Sequence, residues 1–182
     1  MKGLILLANY FEDVEALITI DMLRRAKIQI DLVSLTDDLN AITQSNIKIL
    51  ADFNYKNIDL NDYDYLIIPG GKAVMTTHYD HPFTKEAVMK FNKNNKLIAS
   101  ICAAPSILGK LGLLDNKNYT CFPSFEDCMP KGIHHANDKV VVDGNIITSK
   151  AAGTTFEFAY EIIKYLADEE LAKKVLNSVY YN

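Results

Sequence analysis

Residues 96–112 read KLIASICAAPSILGKLG. A short, continuously apolar run, LIASI, stops at a cysteine set among very small residues, and a second apolar segment of helical character follows. Such a run, bounded by a break, reads as a strand buried on both faces, as in a parallel sheet covered by helices. Strand, tight turn and helix in immediate succession place Cys102 at the carboxyl end of that strand. The residues two before and two after it are Ser100 and Ala104, with Ala103 between. In a G-x-S-x-G nucleophile elbow these flanking positions are small because backbone atoms crowd there, and the present residues are a looser match. Pro105 falls in the first helical turn, where its missing N–H costs nothing. A thiol at a helix start meets unpaired N–H groups that favour thiolate. Cysteine is equally among the most buried residue types. From these residues alone, a nucleophile and a small core residue both remain open.

Working outward, residues 2–8 (KGLILLA) form a first buried strand. Val14, Leu17, Ile18, Met22 and Leu23 recur at helical spacing within residues 11–26, and residues 28–35 (IQIDLVSL) give a second strand. This β-α-β opening points to a doubly wound α/β fold with a mostly parallel central sheet. Residues 40–52 alternate loosely and predict a small hairpin or edge strand. Residues 63–71 (YDYLIIPGG) predict a buried strand ending in a Pro-Gly-Gly break, and a helix over about residues 82–94 leads into the quoted stretch. YTCF predicts a short strand, residues 123–138 a loop, and KVVV and NIIT a hairpin turned at Asp143-Gly144. One or two helices close the chain. With no repeat or linker, residues 1–182 read as one domain. Ligands of open parallel sheets gather beyond the carboxyl ends of the strands. That rule groups residues 9–15, Gly70, Gly71, Cys102 and the Phe122-Pro123 region on one rim.

A net charge of −4 and a pI near 5.5 offer no global basic field for nucleic acid or anionic lipid. No stretch approaches the roughly 18 apolar residues that span a bilayer. The three cysteines, odd in number and irregularly spaced, suggest no disulfide framework, so a cytoplasmic setting is expected. His134 and His135 come at no zinc spacing and read as part of a mobile surface loop. Glu12, Asp13 and Glu15, all at a helix start, could do no more than complement its dipole.

ANYFEDVEAL, IIPGG, IASICAAPSIL, TCFPSFED and GTTFEFAYEII occur here in the order in which similar segments occur in the ThiJ/PfpI superfamily. The chain resembles the branch of the parkinsonism-associated deglycase and its bacterial relatives over essentially its whole length. The resemblance implies a flavodoxin-like (class I glutamine amidotransferase-like) α/β sandwich in a single ThiJ/PfpI-type domain. It also implies a homodimer and no metal or organic cofactor. The activities it implies are those of glutathione-independent glyoxalases and protein or nucleotide deglycases, acting on small reactive aldehydes or glycated adducts, and of oxidation-sensing chaperones. By position, Cys102 matches the reactive cysteine, Glu15 the acid that hydrogen-bonds it, and Gly70 and Gly71 the pair whose N–H groups line the pocket. Phe122, Gly153 and Thr154 fall where the rim of the pocket is expected. The chain also departs from the pattern. Ala103 stands where the protease-like branch has a histidine, which disfavours Cys-His hydrolysis. Phe122 replaces a histidine common in the deglycase branch, and AAGT replaces GPGT at residues 151–154.

The implied Cys-Glu pair suggests a thiolate below the reference value of about 8.5, held by a protonated Glu15. The N–H groups of Gly70, Gly71 and Ala103 would then steady an oxyanion. The expected reaction is isomerisation of a 2-oxoaldehyde such as methylglyoxal or glyoxal through a Cys102 hemithioacetal, with Glu15 as proton relay. The alternative is a sensor or chaperone whose Cys102 is oxidised to sulfinic acid. A weaker one is an amidotransferase-like hydrolase recruiting His134 or His135.

Overall fold

The computed structural model describes residues 1–181. Its strands are β1 (Lys2–Leu7), β2 (Gln29–Ser34), β3 (Asn40–Ile42), β4 (Lys48–Leu50), β5 (Phe53–Asn54) and β6 (Tyr65–Ile68) in the first part of the chain. Further on come β7 (Leu97–Ile101), β8 (Asn118–Tyr119), β9 (Ile133–His134), β10 (Val140–Asp143) and β11 (Ile146–Ser149). The helices are α1 (Asp13–Arg25), α2 (Pro82–Lys93), α3 (Pro105–Lys110), α4 (Thr155–Leu166) and α5 (Glu169–Ser178).

Seven strands form one sheet in the order β10-β11-β7-β6-β1-β2-β5, and only the β10–β11 hairpin is antiparallel. The continuous apolar runs are explained by burial on both faces. Leu4, Ile5, Leu6 and Leu7 of β1, and Leu66, Ile67 and Ile68 of β6, are all fully buried. Each such side chain contributes about 1.5–3 kcal/mol. Helix α1 packs against α4, α4 packs against α5, and α2 lies over β6 and β7. The expected flavodoxin-like arrangement is therefore present. Among the described residues, no helix is long and apolar enough to cross a membrane.

From β1 the chain goes to β2 on one side and later to β6 on the other, so the strand order reverses at β1. This is the crevice where open α/β sheets bind ligands. The exits of β1, β6 and β7 carry residues 9–15, Gly70-Gly71 and Cys102 respectively.

Two expectations need correction. YTCF is not one strand, because β8 stops at Tyr119. Beyond it, Thr120 N–H donates to the Thr148 hydroxyl at 3.0 Å and Phe122 N–H to the Cys102 carbonyl at 2.8 Å, which draws the chain off the ladder. His134 does not sit in a loop, whereas His135 follows directly in irregular surface structure. His134 belongs to β9, which pairs in parallel with β8, and stacks on Tyr119 at 5.1 Å between ring centroids. His135 Nε2 lies 2.7 Å from Asn118 Oδ1.

Candidate active site

Cys102 follows directly on β7 and has φ +64°, a conformation that few residues with side chains adopt and that is typical of strained functional turns. The surroundings hold it there. Its N–H donates to the Ser149 carbonyl at 2.9 Å, its own carbonyl accepts from Phe122, and Ala104 N–H donates to the Ile101 carbonyl at 3.0 Å. Small neighbours make this turn possible: Ala103 and Ala104 are buried against the core, and Pro105 opens α3. The N–H groups of Ala103 and Gly71 are near enough to the sulfur to favour its anion.

Behind the turn, the Ser106 hydroxyl donates to the Ala103 carbonyl at 2.5 Å, and the Tyr79 hydroxyl lies 2.7 Å from Ser106 Oγ. This chain fixes the carbonyl side of the residue whose N–H faces the sulfur. Ser106→Ala is expected to slow alkylation of Cys102 by iodoacetamide a few-fold, in keeping with ~1 kcal/mol for one net hydrogen bond. Ser106→Thr keeps the hydroxyl and should retain the rate.

Glu15 lies in the first turn of α1 and is 1% exposed. Its Oε2 accepts from Gly70 N–H at 2.7 Å, its Oε1 is buried without a hydrogen-bond partner among the described residues, and Cys102 lies beside it across Gly70. Burial pushes its pKa up from 4.5 to about 7, and the hydrogen bond from Gly70 and the neighbouring Cys102 thiol only partly offset this. The thiol is also pushed up, first by burial and then by the charge and acceptor oxygen of Glu15, while the N–H groups of Ala103 and Gly71 act in the opposite sense. The simple expectation of a depressed thiol pKa is therefore corrected. Two buried anions in contact cannot both form cheaply, so the pair titrates as a unit that loses its first proton near pH 7 and resists losing the second. When the proton sits on Glu15, the causes it contributes to raising the thiol disappear, while burial, the largest cause, remains and the N–H groups of Ala103 and Gly71 act against it.

Gly70 and Gly71 divide the work that sequence assigned to them jointly. Gly70 gives its N–H to Glu15, not to an oxyanion site. A Cβ on Gly70 would stand 2.7 Å from Cys102 Cβ and 2.8 Å from Glu15 Oε2. Gly71 has φ +86°, and a Cβ there would press on the backbone of Tyr10 and Glu12 at 2.6 Å. Its small size lets the exits of β1 and β6 meet, where Glu12 N–H donates to the Gly70 carbonyl at 3.2 Å.

Cys102, Glu15, Gly71, Ala103, Phe122 and Gly153 all line one pocket of about 350 Å³. Thr154, expected on the rim, does not line it. Its hydroxyl bonds Ser149 Oγ at 2.7 Å and Ala151 N–H at 3.1 Å, locking the turn before α4. Sequence reading missed Met75, Gln44, Phe125, Ala151 and Ala152, and placed Glu12 only as a capping or surface charge. Phe125 carried no periodic signal, because residues 122–125 form a turn and not a helix. Gln44 carried none, because the β3–β4 hairpin brings it from far along the chain. Its side-chain amide donates to Glu12 Oε2 at 3.0 Å and accepts from Lys72 N–H at 3.1 Å. Asp13 is turned away from the pocket toward that hairpin. Burial raises its pKa, but hydrogen bonds from Thr43 and Ser45 outweigh this and hold it below the usual value. No histidine lines the pocket, and among the described residues no group of three or more His, Cys, Asp or Glu side chains could hold a metal ion. Cys121 is buried beside His134 at 4.0 Å, and Cys128 is half-buried.

The DJ-1/PfpI family profile matches residues 1–165. The chain belongs to the DJ-1/PfpI family. Drosophila melanogaster dj-1beta is 32% identical over 175 residues, covering 96% of this chain and 94% of that protein. Its crystal structure superposes with a TM-score of 0.93 at 30% identity, over the whole of both chains. A DJ-1/PfpI relative from Pyrococcus horikoshii, named a deglycase, is 29% identical over 168 residues, covering 91% of this chain and 99% of that protein. The structure described as oxidized Toxoplasma gondii DJ-1 superposes at TM-score 0.89 with 29% identity, covering 99% and 98% of the two chains.

Proposed function

We propose that this DJ-1/PfpI protein is a cofactor-independent glyoxalase or deglycase that acts on 2-oxoaldehydes or their early adducts through Cys102 and Glu15. The observation that carries this reading is the contact between the strained thiol and a buried carboxyl whose pKa lies near 7. The relative named a deglycase supports it. A general acid–base is most effective when its pKa is close to the working pH, and Glu15 meets that condition.

With methylglyoxal, the Cys102 sulfur would attack the aldehyde carbon. The S–C bond forms, the carbonyl π pair moves to oxygen, and the proton of Glu15 neutralises that oxygen as a hemithioacetal forms. The N–H groups of Gly71 and Ala103, which lie near the sulfur, would be the donors at hand as its charge passes to oxygen. Glu15, now a carboxylate, takes the proton from the former aldehyde carbon to give an enediolate and returns it to the adjacent carbon, while the hydroxyl proton of the hemithioacetal passes to the neighbouring oxygen. The product is a thioester of the 2-hydroxy acid. Water cleaves it, releasing lactate and regenerating the thiol with its shared proton. No redox partner is needed, because one carbon is oxidised as its neighbour is reduced. A homodimer, as the family resemblance implies, is the proposed assembly.

The expected result is lactate formed from methylglyoxal without glutathione, lost in Cys102→Ser. Full activity in that variant would contradict the scheme.

A second reading is favoured by the placement of the Cys102 sulfur on an open pocket and by the relative described as oxidized. Here the thiolate would react with two peroxide molecules, giving a sulfinate and two waters. Addition of two oxygens to Cys102 by peroxide, with glyoxals untouched, would favour sensing over turnover.

A further inference from the structure

The pocket above Cys102 is lined by three large apolar side chains, Phe122, Phe125 and Met75, two of which are strongly exposed: Phe122 at 44% and Met75 at 51%. The rings of Phe122 and Phe125 stand edge to face, with centroids 6.4 Å apart and planes at 72°. Backbone bonds tie both residues to the Cys102 turn. Phe122 N–H donates to the Cys102 carbonyl at 2.8 Å, and Phe125 N–H donates to the Phe122 carbonyl at 3.2 Å. Alanines and Gly153 form much of the remaining wall, and the charged contribution is acidic, from Glu12 and Glu15. No lysine or arginine lines the pocket.

Methylglyoxal would use little of this space. Its methyl group fills only a small part of about 350 Å³ and leaves the two rings in water. We propose that the site selects 2-oxoaldehydes bearing an aryl substituent, with the ring packed against Phe122 and Phe125 while the aldehyde carbon meets the Cys102 sulfur. A third ring completes an edge-to-face cluster, which aromatic side chains prefer over stacking in register. The same lining disfavours aldehydes or adducts that carry phosphate or carboxylate, since two acids and no cation would face them.

This inference rests on the glyoxalase reading, so its test has an arm that needs no turnover. In the turnover arm, kcat/KM is compared for phenylglyoxal and methylglyoxal. Pockets that recognise an added apolar group gain about tenfold to a hundredfold, and the wild-type ratio is expected to be about tenfold or more in favour of phenylglyoxal. In Phe122→Ala the ratio should fall about tenfold. A half-exposed ring can be removed without a core cavity, and Phe122→His supplies a second variant with the same expected direction. In the second arm, the rates at which 2-chloroacetophenone and chloroacetone label Cys102 are measured by mass spectrometry. Their ratio is compared with that for N-acetylcysteine. It should exceed the free-thiol ratio about tenfold in wild type and return towards it in Phe122→Ala.

Methylglyoxal turnover with no aryl preference would overturn the selectivity and leave the glyoxalase reading standing. Aryl-selective labelling without turnover of either aldehyde would do the reverse. A labelling ratio equal to that of the free thiol would overturn the aromatic subsite outright.

Discussion

Replacing Glu15 by glutamine is expected to abolish turnover while making the protein more stable at alkaline pH. An amide cannot take the proton from one carbon and return it to the next, and losses of about 10²–10⁴ in kcat follow from removing such a group. The stability effect comes from the raised pKa. Glu15 rises from 4.5 to about 7 on folding, because burial disfavours its charge more than Gly70 and Cys102 stabilise it. Between those two values the native chain holds a proton that the unfolded chain has released. Stability is therefore fully present below the unfolded pKa, falls as pH rises, and has lost this contribution above about 7. A rise of this size is worth up to about 3 kcal/mol. Glutamine keeps the acceptor for Gly70 N–H and never ionises. Thermal melts should show Glu15→Gln level with wild type near pH 4.5 and above it by about 5–10 °C at pH 8. A variant destabilised equally at both pH values would mean that Glu15 is an ordinary ionised structural acid.

Gly70→Ala should be nearly as damaging by a different route. The added methyl would enter between the two members of the pair, 2.7 Å from Cys102 Cβ, 2.8 Å from Glu15 Oε2 and 3.0 Å from the Ile101 carbonyl. Contacts this short must be relieved by displacement, and overpacking of this kind costs about 1–3 kcal/mol. Moving Glu15 and Cys102 apart by about 1 Å is enough to reduce rate about 10²-fold. Melting should fall by about 5 °C, with kcat/KM down by about two orders of magnitude. Wild-type activity in a folded Gly70→Ala protein would show that the contact between thiol and carboxyl is not needed.

The parts of this molecule that could be read in its sequence are those that local chemistry dictates. LIASI, LILL and YLII are strands because both faces are covered, and the small residues around Cys102 mark a turn that larger ones would not fit. Strand polarity then places residues 9–15, Gly70-Gly71 and Cys102 on one rim. The parts that could not be read depend on partners remote in sequence. Strand β9 is two residues long and exists only by pairing with β8. Whether Gly70 or Gly71 serves Glu15 depends on which N–H turns toward α1. Thr154 matched a rim position but spends its hydroxyl on Ser149 and Ala151. The thiol pKa looked low from its place at a helix start, yet burial and a neighbouring acid act more strongly than the donors at that turn. Phe122 was legible as a departure from a family histidine, while its pairing with Phe125 in the lining of the pocket required the fold.

The most direct measurement is the pH dependence of Cys102 alkylation by iodoacetamide, resolved by mass spectrometry, in wild type and Glu15→Gln. If the two side chains share one proton, the wild-type rate rises through a step near pH 7, the value to which burial lifts Glu15, and then levels off. Glu15→Gln should lose that plateau and show a single ionisation at a different pH. A wild-type profile with one step above about pH 9, unchanged by Glu15→Gln, would contradict a shared proton and leave Cys102 an ordinary buried thiol.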